Sequence, residues 1–429
     1  MNELNQFKYF LYPQISSLLL YQSLFKSEVC QTFISLLYSL YFRDKHTLNL
    51  ESLKAYGLFF EALARTRKSW QDYFVSEILL NENSFSQQVQ SIPFQELPKS
   101  LIDAVKHDLS ILQIIYNCQT QQLAEWVKKF TLIEYIPVAW EVENIDNTFL
   151  HRSNNWQDTI EELADHYNRQ GTGIFAKYKV LKWEEKQLIG IKNSDPIKLT
   201  EIVGYEPQKE TLVKNTEILL AGCVALNILL YGSRGSGKSS LVKGLLNRYS
   251  SQGLRLVEVS KSQLNHLLWI VDKLRDYPQK FIVFVDDLSF EENDDTFKSL
   301  KVVLEGSVTA RADNVVVYAT SNRRHLIREF FGDRPQLSES DEVHAWDTVQ
   351  EKLSFSDRFG LTLTFEPANQ EKYLSIVNHL AQQIRLNLPQ EELEFRAKQW
   401  AIKQNGRSGR TARQFIHFLQ GELKVKGIE

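Results

Sequence analysis

Apolar residues recur at three-and-four spacing through much of the first 130 or so positions, with polar residues between them. QTFISLLYSLYF (31–42), LKAYGLFFEALARTRKSW (53–70) and LIDAVKHDLSILQIIYN (101–117) each carry one apolar stripe, the pattern of an amphipathic helix. Polar, turn-rich breaks at NENSFSQQ (81–88) and SIPFQELPKS (91–100) separate them. No repeat of fixed period is visible. These positions predict a largely α-helical N-terminal region, 1–150, and carry little chemistry.

The next stretch is mixed. NNWQDTIEELADHYNRQ (154–170) predicts a helix ended by Gly171 and Gly173. GIFAKYKVLKWEEKQLIGI (173–191) alternates like a hairpin turning at Glu184–Lys186. NSDPIKL (193–199) reads as a linker, so 151–197 forms a connecting module. From Thr200 the pattern becomes strand, loop, helix, repeated. Short apolar runs at 227–232, 254–259, 281–286, 314–320 and 361–366 are the strands. Each is rich in Val, Ile or Leu, as a strand covered on both faces should be. The alternation predicts an α/β core at 198–367 with a parallel five-stranded sheet flanked by helices, then a helical lid at 368–429.

Composition changes this picture little. At 429 residues, with 43% hydrophobic and 24% charged side chains, two or three soluble globular domains are expected. A net charge of -3 gives no general reason to expect nucleic acid or an acidic membrane as partner. Cys30, Cys118 and Cys223 lie far apart, without metal-ligand spacing, which points to a reducing, cytoplasmic setting. The N-terminal segment lacks the basic region and cleavage site of a signal peptide. Its uncharged run, Tyr9 to Phe25, is too short and too polar for a membrane span.

The chemistry is concentrated in YGSRGSGKSSLVKGLL (231–246). Gly232, Ser233, Arg234, Gly235, Ser236, Gly237, Lys238 and Ser239 fit the G-x-x-x-x-G-K-[ST] pattern after a strand and before a helix, with Ser240 following. Glycines let backbone N–H groups turn inward around phosphate oxygens, and the helix N-terminus adds its positive end. Lys238 then reaches the β and γ phosphates, and Ser239 ligates Mg²⁺. FIVFVDD (281–287) brings Asp286 to the metal side and Asp287 toward the γ-phosphate. NVVVYATSN (314–322) ends on Asn322, an amide placed to orient water. SDRFG (356–360) and GRSGRTAR (406–413) contribute Arg358, Arg410 and Arg413.

In this order the parts resemble an AAA+ ATPase over roughly 198–429. The resemblance makes GSRGSGKS the Walker A loop, FIVFVDD the Walker B strand, Asn322 the sensor 1 position, Arg358 the arginine finger and Arg410 the sensor 2 position. GYEPQKETL (204–212), with Tyr205, resembles the segment that packs near adenine. WQDTIEELADHY, GIFAKYKVLKW, DDLSFEEND, ATSNRRHLI and SDRFGL are similar to a bacterial family of predicted ATP- or GTP-binding AAA+ proteins known only as a domain of unknown function.

Two features depart from common AAA+ patterns. Asp287 stands where many members have glutamate, and Glu291 or Glu292 is an alternative base. The segment SKSQLNHLLWIVDKL (260–274) has no aromatic-apolar-glycine pore loop, and Trp269 reads as helix packing. The expectation is a slow Mg²⁺-dependent ATPase. It would assemble as a homo-oligomer with Arg358 acting in trans and remodel or load a protein partner held by the N-terminal region. The alternatives are a nucleotide-dependent switch with little hydrolysis and a nucleic-acid-associated ATPase resembling helicase loaders. Nucleic acid is the less favoured partner, motivated by the basic residues from Arg407 to Lys426. ATP is preferred over GTP by resemblance alone.

Overall fold

A computed structural model describes residues 11–41, 50–131, 137–143, 146–193, 195–290, 296–305, 312–322, 355–404 and 406–425. Contacts divide the chain into two units, Met1–Lys177 and Tyr178–Glu429. The segment expected as one connecting module, 151–197, is therefore divided: its helix belongs to the first unit and its hairpin to the second.

The first unit is helical. Its longer elements are α1 (Glu28–Tyr41), α2 (Leu50–Thr66), α3 (Trp70–Leu80), α4 (Lys99–Tyr116), α5 (Thr120–Thr131) and α6 (Ile160–Gln170). In α1 the stripe Val29, Phe33, Leu36, Leu37 and Leu40 is buried, as its spacing requires. Phe33 stacks on Trp70 with ring centroids 4.6 Å apart, and Trp70 stacks on Phe74 at 5.1 Å. The helix expected to run through 53–70 ends at Thr66 instead. Arg67 turns left-handed (φ 57), and Ser69 caps a new helix by accepting the Asp72 N–H at 3.0 Å. The expected 154–170 helix likewise begins as a 3-10 turn, Trp156–Thr159, and closes on Gly171 (φ 80). Asp108 is wholly buried, and its carboxylate accepts the backbone N–H groups of Leu19, Leu20 and Tyr21 at 2.8–3.1 Å.

The second unit is built on one sheet of β1 (Val180–Glu184), β2 (Gln187–Ile191), β3 (Ile228–Gly232), β4 (Leu254–Glu258), β5 (Lys280–Val285), β6 (Val315–Ser321) and β7 (Leu361–Phe365). Their order is β2-β1-β4-β5-β6-β3-β7. The five expected strands form the parallel core. The sheet has seven strands, not five, because the hairpin joins it: Val180, Leu181 and Lys182 pair in parallel with Leu256, Val257 and Glu258. Only β1–β2 is antiparallel. Phe281 to Val285 in β5 are buried throughout, as a central strand between helical layers should be.

Helices α7 (Glu206–Leu220), α8 (Lys238–Tyr249), α9 (Leu267–Arg275) and α10 (Thr296–Glu305) lie between the strands in sequence. The C-terminal helices α11 (Gln370–Gln383), α12 (Gln390–Lys403) and α13 (Gly409–Val425) enclose their own core of Tyr373, Val377, Ala397, Ala412 and Leu419. The second unit is an α/β sheet followed by a C-terminal helical subdomain, as its sequence pattern predicts. Among the described residues no helix is long and apolar enough to cross a membrane.

Candidate functional site

Six parallel strands deliver their carboxyl ends to one side, where backbone groups and short side chains can meet a ligand. β3 ends in Gly232 (φ 144), whose missing side chain would run into the Phe365 carbonyl of β7. The loop is pinned there, since Ser233 N–H donates to Phe365 O at 3.1 Å. Gly235 (φ 76) and Gly237 (φ 94) complete the loop, and Gly237 is the residue from which α8 starts. A side chain at Gly235 would press on Ser408 and Arg410. Loop and α13 also touch through the backbone, Arg410 N–H donating to Gly235 O at 3.3 Å.

Lys238 folds over this loop. Its Nζ donates to Gly232 O at 2.9 Å, Ser233 O at 2.8 Å and Asn322 Oδ1 at 3.3 Å. Burial holds its pKa below the usual lysine value, opposed by Asp286 and Asp287 and assisted by Arg410. Ser239 Oγ donates to Asp286 Oδ1 at 2.7 Å. Thr320 Oγ1 donates to the same oxygen and accepts the Asp287 N–H at 2.9 Å. Asn322 Nδ2 donates to Asp287 Oδ1 at 2.6 Å. Asp287 itself has left-handed backbone, φ 52, which is uncommon outside glycine and tolerated best by Asp and Asn.

These groups line a cleft of about 590 Å³. Arg234 to Ser240, Asp286, Asp287, Asn322 and Arg410 all face it. Its apolar lining comes from Ile197, Ile202 and Val203 together with Ile376 and Leu380 of α11. The expectation for Tyr205 is different in the structure. It is buried rather than cleft-lining: its hydroxyl donates to Glu366 O at 2.7 Å, and its ring lies 5.0 Å from that of Phe365. The apolar pair just before it, Ile202–Val203, takes the place beside the cleft. Gly232 and Ser233 contribute through their carbonyls to Lys238 rather than by lining the cleft. Arg358 ends a 3-10 turn, Phe355–Arg358, immediately before β7 and is not among the lining residues. Arg413 lines the cleft and pairs with Glu201 at 3.9 Å.

Thr320, Glu201, Ile376 and Leu380 carried no sequence signal that singled them out. Glu291 and Glu292 lie outside the described residues, as does the segment after Asn322, residues 323–354. Beyond β4 the chain passes through a 3-10 turn, Lys261–His266, straight into α9. Trp269 is not the packing residue expected. It is 59% exposed, one face stacked on His266 at 5.7 Å, and Trp183 Nε1 donates to His266 Nδ1 at 3.1 Å.

The residues present fit a nucleoside triphosphate with Mg²⁺. Gly235 and Gly237 hold left-handed backbone that other residues rarely adopt, and the buried Ser236 hydroxyl has no hydrogen-bond partner among the described residues. Ser239 and Asp286 supply hard oxygen ligands of the kind Mg²⁺ takes alongside phosphate oxygens.

A family profile described as "Protein of unknown function (DUF815)" matches residues 176–423. No curated protein matches. Among solved structures, the Holliday junction branch migration motor RuvB of Thermotoga maritima is similar at 14% identity and a TM-score of 0.38, over 54% of this chain and 67% of that one. A mutant of the same protein gives 15% identity and a TM-score of 0.39, over 54% and 68%.

Proposed function

The chain belongs to that family, and we propose that it is an ATP-binding, Mg²⁺-dependent AAA+ ATPase of low turnover. One observation supports this above all: Lys238, Asn322 and Asp287 form a continuous hydrogen-bonded chain beside the Ser239–Asp286 pair, over a glycine loop at a helix N-terminus. Lys238 places positive charge where the loop N–H groups converge. Mg²⁺, when bound, neutralises phosphate charge, and Ser239 and Asp286 are the residues that hold it. Arg410 adds a second cation from α13.

Asp287 is the base. Asn322 occupies its Oδ1, and Oδ2 takes the proton of an attacking water. Aspartate is shorter than glutamate by about 1.5 Å, one carbon–carbon bond. Misplacement by about 1 Å costs ~10²-fold in rate, which is the reason to expect slow turnover. Arg358, beside the entrance to β7, completes the site of a second copy of the chain and stabilises charge on the transferred phosphoryl group. The helical first unit holds a protein partner that the ATPase loads or remodels, in the cytoplasm.

The switch reading, binding with little hydrolysis, draws on the close Asn322–Asp287 contact, which engages the base. ATP turnover measured against protein concentration separates the two. Specific activity that rises with assembly and collapses in Arg358→Ala and Lys238→Ala supports the ATPase. Tight ATP binding with no turnover at any concentration leaves the switch.

A further inference from the structure

The paired aspartates are held by a residue that the phosphate-loop pattern does not include. Thr320 is 2% exposed near the end of β6, and three of its polar contacts go to the segment leaving β5. Its hydroxyl donates to Asp286 Oδ1 and accepts the Asp287 N–H, while its carbonyl accepts the Leu288 N–H at 2.7 Å. Two consecutive N–H groups are thus caught by one residue. Between them the backbone turns left-handed, and Asp287 is the only described residue of the cleft other than glycine with φ in that region.

We propose that Thr320 is the positioning residue of the aspartate pair: its hydroxyl aims Asp286 at Ser239 and turns the Asp287 backbone so that a short carboxylate reaches Asn322. Extended or right-handed backbone would send the Asp287 side chain in another direction, because φ sets where Cβ points. With φ at 52 the carboxylate instead lies 2.6 Å from Asn322 Nδ2, one amide away from Lys238. The turn makes an aspartate serviceable where a longer acid would need no such help. A hydroxyl is required for this, since it must donate to a carboxylate and accept from an N–H at once. Serine provides the same two functions, valine has the shape without either, and alanine has neither.

The inference deepens the proposed reading of this site and rests on it only where nucleotide is used. The test compares Thr320→Val, Thr320→Ser and Thr320→Ala in the full chain. Without nucleotide, amide exchange followed on a peptide spanning residues 284–290 should quicken about tenfold in Thr320→Val, where a buried N–H loses its acceptor. Thr320→Ser should stay within about twofold of wild type, its hydroxyl retaining both bonds.

With a fluorescent ATP analogue, Thr320→Val should lose about tenfold of the affinity gained on adding Mg²⁺, while affinity in EDTA stays within about twofold. Turnover should fall ~10²-fold in kcat, with KM rising by no more than the about tenfold lost in Mg²⁺-dependent affinity, and Thr320→Ser should restore both. If the valine variant does not fold, the alanine variant replaces it in every arm. Wild-type exchange in both hydroxyl-free variants, or a serine variant as impaired as they are, overturns the proposal. A wild-type protein that binds no nucleotide overturns the proposed function instead, and the exchange arm still decides the role of Thr320.

Discussion

Asp108 and Asp287 are carboxylates in the two units, and the molecule uses them in opposite ways. Asp108 is wholly buried, and both its oxygens are taken by the N–H groups of Leu19, Leu20 and Tyr21. Such a group is committed to structure, fixing where the 3-10 turn Tyr21–Lys26 begins on α4. Asp287 sits at the rim of a cleft, turned by its backbone and held by one amide through one oxygen. Satisfied polar groups stabilise a fold, whereas partly engaged ones facing solvent remain available for chemistry. The contrast separates a carboxylate committed to structure from one left accessible, which is the one proposed as the base.

The sharpest way to break that distinction lies at Arg358, outside the cleft. Arg358→Ala should lower turnover ~10³-fold, as loss of an arginine finger does, with ATP affinity unchanged. Steady-state kinetics beside equilibrium binding would check it; equal losses in both would place Arg358 in its own cleft.

Next in size is Lys238→Ala, which removes three hydrogen bonds and a cation from the loop. Affinity for ATP should drop by about 10²-fold, the cost of one or two charge-assisted hydrogen bonds, with the unfolding temperature hardly moved. Calorimetric titration and a thermal melt measure the two quantities. Asp108→Ala should reverse the pattern. Leaving buried N–H groups without an acceptor costs about 3 kcal/mol of stability, while nucleotide affinity is retained. An Asp108→Ala protein that melts normally yet binds ATP poorly would erase the contrast altogether.

The smallest effect is expected at the Arg413–Glu201 pair, whose side chains are about a third exposed. Glu201→Gln should change ATP affinity by less than about fivefold, as solvent screening keeps such a pair below about 1 kcal/mol. A larger change would mean that Glu201 contacts the ligand itself.

What was legible in the sequence follows from how local each signal is. The five core strands are short apolar runs between turn residues, so their positions came within a residue or so of β3 to β7. The phosphate loop is contiguous, and its glycine, lysine and serine positions have spacing that little else requires. The joining of the hairpin to β4 was not legible, because parallel pairing of Val180 with Leu256 depends on residues distant in sequence. Thr320 was hidden for a different reason. A threonine in an apolar run reads as an ordinary β-branched strand residue, and only its neighbours reveal two uses for its hydroxyl. Tyr205 shows the limit of carrying roles over by resemblance. Its hydroxyl found a carbonyl at Glu366, so the ring was drawn to β7 and the cleft was left to Ile202 and Val203. Trp269 erred the other way: surrounded by apolar residues in sequence, it lies on the outward side of α9.

Gly232 has a consequence for the order in which the protein can be made. The backbone at that glycine is shaped by Phe365, which leaves the ribosome long after the phosphate loop has been synthesised. Until β7 arrives, Ser233 N–H has no carbonyl to meet and the loop has no wall. A nascent chain carrying the whole glycine motif therefore still lacks the contact that pins the loop, and that contact forms late, when β7 joins the sheet.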